Sequence, residues 1–90
     1  MSNSELLVML KVDLGISNTA YDERLTQYIE SARSKIKEEG INLNDSINDD
    51  ELIVMYAAYI WRNRASGNAM PRMLRYALNN RLMSEKMRGE

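Results

Sequence analysis

The chain has 90 residues, 44% of them hydrophobic and 28% charged, with a formal net charge of −1. It contains neither cysteine nor histidine, which removes disulfides, thiolate metal sites, and the commonest general base, nucleophile and transition-metal ligands. At this length one small domain is expected, near the size below which a single core seldom sustains a fold unaided.

The first segment spans 5–14. Ser4 precedes it as a candidate N-cap, Leu6, Leu10 and Leu14 recur every four residues beside Leu7, and Gly15 stops it. The second spans 20–39, with Thr19 and Asp22 spaced as a capping box. Tyr21, Leu25, Tyr28, Ile29, Ala32 and Ile36 draw one apolar stripe at helical spacing, and Gly40 follows as a C′ residue. Residues 41–48, rich in Asn, Asp and Ser, read as a loop.

The third segment, 49–66, is expected to start at an Asn48 or Asp49 cap, with Asp49, Asp50 and Glu51 at the positive end of its dipole. It carries ten consecutive apolar residues from Leu52 to Trp61, then Arg62 and Arg64, and closes at Gly67. A helix apolar around its whole circumference must be covered on every side. Three other helices in so short a chain offer little cover, so the run hints at completion by further copies of the same chain. The acidic group Asp45, Asp49, Asp50 and Glu51 lacks the alternate spacing and central glycine of a calcium loop, and reads as helix capping.

The fourth segment, 71–86, opens at Pro71 as N1, and the tail from about 87 is expected to fray. On a helical wheel Met73, Leu74, Ala77, Leu78 and Leu82 form one apolar arc with Arg81 in its middle. Arg72, Arg75, Tyr76, Asn79, Met83 and Lys86 occupy the other side. A guanidinium within an apolar arc needs a partner, so Arg81 is the candidate for a buried ion pair. The expected partner is a carboxylate or a set of carbonyls from segment one or two, or from a neighbouring subunit.

No strand signal, internal repeat or low-complexity tract is present, so the expected class is all-α: one domain over 1–90, a small bundle of about four helices. The expected core includes Leu25, Ile29, Ile53, Tyr56, Ala57, Ile60, Trp61, Leu74 and Leu78. The apolar run is about half the length needed to cross a bilayer, and no basic region precedes the first apolar stretch. A soluble chain with no membrane contact is therefore expected.

The charges divide unevenly. Residues 1–51 carry five Lys/Arg against eleven Asp/Glu, a net −6, and residues 52–90 carry seven against two, a net +5. Such asymmetry points to nucleic-acid contact, to self-complementary association or to local neutralisation within the fold. For association, the candidate surfaces are Arg72, Arg75, Tyr76 and Met83 on one side. On the other stand Asp22, Glu23 and Glu30 of segment two, or Asp49, Asp50 and Glu51 of segment three.

In order and spacing, several pieces of the chain resemble the small head–tail connector (adaptor) proteins of long-tailed bacteriophages and prophages. They are Glu5-Leu6-Leu7, Leu14-Gly15-Ile16, Asp22-Glu23-Arg24-Leu25 leading into Tyr28-Ile29-Glu30-Ser31-Ala32, Ala57 to Arg64, and the restart Met70-Pro71-Arg72-Met73-Leu74. Many members of that family end in an extended arm, whereas Asn79-Asn80-Arg81-Leu82-Met83 continues with helical character. The resemblance implies an all-helical subunit of a ring of about a dozen copies, assembled in the bacterial host cytoplasm and sited at the virion neck. The ring would join the portal to tail-proximal neck proteins and surround double-stranded DNA without reading its sequence. No cofactor, metal or catalytic residue is expected. The alternative is a small DNA-binding regulator using 49–66 and 71–86 as a helix-turn-helix, with Arg72 and Arg75 on the DNA.

Overall fold

The computed structural model describes residues 2–64, 67 and 69–88. They form four helices, α1 (Asn3–Leu14), α2 (Asp22–Glu38), α3 (Ile47–Arg62) and α4 (Arg72–Arg88), and no strand occurs among the described residues. The all-α bundle expected from the periodicity is the fold found.

The starts of all four helices differ from expectation, the first three because a short polar side chain is used differently. Ser2, not Ser4, caps α1. Its Oγ accepts the Glu5 amide at 3.3 Å, and the Glu5 carboxylate accepts the Ser2 amide at 3.1 Å, a complete capping box. The Ser2 amide, followed by its hydroxyl, holds the Glu5 carboxyl below its ordinary pKa. A depressed carboxylate pKa stabilises the fold above the unfolded value and ceases to do so as pH falls through the folded one. Fraying at the start of α1 is therefore expected on acidification below the ordinary value of 4.5. The amide of Leu6, which bonds the Ser2 carbonyl at 3.0 Å, should lose hydrogen-exchange protection there.

The Thr19–Asp22 capping box does not form. The Asp22 amide bonds the Thr19 carbonyl at 3.2 Å, its carboxylate pairs with Lys11 of α1 at 2.8 Å, and α2 begins without a side-chain cap. Ser46, rather than Asn48 or Asp49, caps α3 by accepting the Asp49 amide at 3.2 Å. Pro71 sits one residue outside α4, its carbonyl accepting the Arg75 amide at 3.1 Å. The helix then continues to Arg88, past the expected fray point at 87. α3 ends at Arg62; the expected extension to 65 and 66, and the tail at 89 and 90, lie outside the described residues.

α3 lies at the centre and touches the other three helices, while α1 also packs on α2. The core joins Leu6 and Leu10 of α1, Leu25, Ile29, Ala32 and Ile36 of α2, Ile41 of the loop, Leu52 to Val54 and Tyr56 to Ala58 of α3, and Leu74 and Leu78 of α4. Gly15, at φ 73, ends α1 in the left-handed conformation, and the next amide, Ile16, reaches back to the Lys11 carbonyl at 2.9 Å. Gly40, at φ 98, adopts a conformation that residues with side chains rarely take, while an added Cβ would make only an ordinary contact, 3.5 Å from a Leu82 methyl.

Two expected core residues are corrected. Ile60 and Trp61 are half-buried, as are Met55 and Tyr59, because three helices cannot enclose a fourth completely. Trp61 meets the edges of Tyr21 and Tyr28, with ring centroids at 5.1 and 6.3 Å, and the Arg64 guanidinium lies 3.7 Å above its ring. Trp61→Ala is expected to cost about 2 kcal/mol in chemical denaturation, short of the roughly 3–5 kcal/mol of a fully buried aromatic.

Candidate functional site

α4 has two working sides. Its inner side sets Leu74 and Leu78 into the core, with Ala77 and Leu82 partly buried beside them. Arg81 lies in the same arc and is 11% exposed. Its Nε donates to Asp49 Oδ1 at 2.7 Å and its Nη2 to Asp49 Oδ2 at 3.2 Å, a bidentate pair with a carboxylate 2% exposed. Its Nη1 donates to Glu85 at 3.0 Å, and Nη2 also reaches the Asn42 carbonyl at 2.7 Å. The bond to Asp49 foremost, with that to Glu85, raises the guanidinium pKa above its ordinary value against the opposing effect of burial.

The expected chemistry of the Arg81 partners is met, but not their source. They come from the start of α3, from α4 itself and from the preceding loop, rather than from α1, α2 or a neighbour. Asp49 turns inward because Ser46 has taken over the cap, and its Oδ2 also accepts the Asn44 amide at 2.8 Å. A second latch joins Arg75 to Glu39 at the end of α2, at 3.1 Å.

The latches revise the candidate interface. Asp49 and Asp50 are buried, at 1% and 3% exposure, and cannot meet another surface. Arg75 is half-buried and committed to Glu39. Asp22 is paired with Lys11, and Glu30 accepts from the Asn3 side chain. Glu23 and Glu51 are exposed. Of the basic and apolar set, Arg72, Tyr76 and Met83 stand outward as expected.

The outer side of α4 is richer than the wheel implied. Tyr76 and Met83, 59% and 62% exposed, are joined by Met73 and Met87, each 76% exposed. Met73, expected in the core arc, lies roughly 140° around the helix from the buried Leu78, which carries it into solvent. Positions 73, 76, 80, 83 and 87 alternate three and four residues, the spacing of a seam made to meet another element. Asn80 interrupts the apolar seam, and the exposed Arg72, Asn79 and Lys86 border it on one side. Methionine, tyrosine and arginine are enriched where proteins meet, and an exposed row of this composition has the character of a surface that a partner could cover.

Val8 and Val12 of α1, 61% and 77% exposed, form a second outward apolar pair that the sequence reading passed over. The signal was present: Leu6 and Leu10 define one side of α1, and Val8 and Val12, at the same four-residue interval, define another.

Among the described residues no group of three or more His, Cys, Asp and Glu side chains is placed to hold a metal, and no helix is long and apolar enough to cross a membrane. Comparison with protein-family models, with curated proteins and with solved structures returns no match for this chain.

Proposed function

We propose that the protein is a structural subunit of a phage virion neck, forming a ring that joins the portal of the DNA-filled head to the tail and surrounds the exit channel. The observation that carries this reading is the second apolar side of α4. One face of the helix is locked into the bundle by Leu74, Leu78 and the Arg81–Asp49 pair, and the opposite face presents Met73, Tyr76, Met83 and Met87 to solvent. A helix buried on one side and apolar on the other is incomplete as a monomer. The connector-like order of the sequence adds the biological setting, and the uneven charge division favours contact between unlike surfaces.

Electron microscopy of the concentrated protein, alone and added to portal-bearing heads, tests the proposal. Rings, or density seated on the portal, are expected. A protein that stays monomeric and leaves the portal bare would overturn it. The helix-turn-helix alternative has less support, because the outward face of α4 is largely methionine and tyrosine and the α3–α4 connection, residues 63–71, exceeds the usual three to four residues. Sequence-selective DNA binding that weakens steeply with salt would favour that alternative.

A further inference from the structure

We infer that the groove between α1 and α3 is the receiving site for the outer strip of α4 from a second copy of this chain, a head-to-tail contact between two different surfaces. The groove holds about 500 Å³. It is lined by the exposed Val8 and Val12 and by the more buried Met9, Val54 and Met55. Asp13 and Glu51 also line it, and both are exposed. Among the described residues Asp13 has a long contact to Arg62, 3.9 Å, with both side chains more than half exposed, so a second cation can approach it.

The charge pattern selects the occupant. The groove is an apolar trough with acidic groups at its margin, and the α4 strip is an apolar ridge bordered by Arg72 and Lys86. Flexible methionine side chains suit an irregular trough, and Tyr76 supplies the larger anchor. The ridge cannot fill the groove of its own molecule. Leu74, Leu78 and the Arg81–Asp49 pair hold the other side of α4 against the bundle, with Tyr76 turned roughly 160° from Leu78. With one ridge seated in one groove, each copy retains one unused partner surface. This contact therefore propagates as a chain or closes as a ring, rather than engaging both surfaces reciprocally in a two-fold dimer. This inference deepens the ring reading by assigning the contact.

Two variants test it, Asp13→Lys/Glu51→Lys on the groove and Arg72→Glu/Lys86→Glu on the ridge, with self-association followed by sedimentation. All four positions are exposed, so the helical spectrum should be unchanged. Each variant alone should associate at least about tenfold more weakly than wild type, through facing like charges. An equimolar mixture should recover association, because the basic groove of one now meets the acidic ridge of the other. Variants that associate as well as wild type, or a mixture no better than its components, would overturn the assignment. So would a wild type that stops at dimers. Wild-type rings that persist in both variants would sink the groove contact and leave the ring reading standing. Recovery in the mixture as open chains, with no ring alone or on portal-bearing heads, would do the reverse.

Discussion

Replacing Arg81 by methionine is expected to lower stability by about 3–5 kcal/mol in urea denaturation, the cost of leaving a buried charge without its partner. Methionine is no larger than arginine and is unbranched, so steric disruption is not the cause. The loss arises at Asp49, whose carboxylate is 2% exposed and would face an apolar side chain in place of two guanidinium bonds. Adding Asp49→Asn should return roughly 1–2 kcal/mol, since the amide carries no charge and its oxygen can still accept the Asn44 backbone bond. A loss below about 1 kcal/mol for Arg81→Met, or no recovery in the double variant, would show that the pair does not hold α4 in place.

Leu78→Ala is expected to cost about 2–5 kcal/mol, because Leu78 is fully buried on the side of α4 that meets the bundle and the vacated volume cannot collapse completely. Hydrogen exchange should show the largest loss of protection in α4. Tyr76→Ala and Met83→Ala, two and five residues away on the same helix, should each change monomer stability by less than about 0.5 kcal/mol, since both side chains lie in solvent. The contrast separates the packing side of α4 from its outer side. Equal effects at 76 and 78 would mean that α4 is buried on both sides in the monomer.

Much of the fold was legible because apolar residues recur at helical spacing and the breaks fall at Gly15, Gly40 and the Asn/Asp/Ser loop. The stripe on α2 was read almost completely: Leu25, Ile29, Ala32 and Ile36 are all buried, although Tyr21 reaches solvent. The helix starts were harder. Ser2 competes with Ser4, and Ser46 with Asn48 and Asp49, and local sequence does not decide among adjacent residues able to cap. The arrangement is tertiary as well as local, since Ser46 caps the helix while Asp49 pairs with an arginine 32 residues away. Arg81 betrayed its own need for partners by sitting among leucines; Glu85, four residues on, was locally readable, but nothing local identified Asp49.

The outer face was half legible for a related reason. A wheel arranges residues around an axis without fixing where the core lies. Met73 was therefore grouped with Leu74, although the buried centre falls nearer Leu78. On α1, apolar residues occupy more than one side, so periodicity alone could not tell Leu6 and Leu10, which are buried, from Val8 and Val12, which are not. The apolar residues left over after the core is assigned are the informative feature, because they name the surface on which the proposed assembly rests.

The most direct test of an assembling α4 is native mass spectrometry of wild type and Tyr76→Asp/Met83→Asp over a wide concentration range, with circular dichroism confirming equal helix content. Wild type should populate higher oligomers as concentration rises, and the variant should remain monomeric with its fold intact. Assembly of the variant alongside wild type would contradict the account.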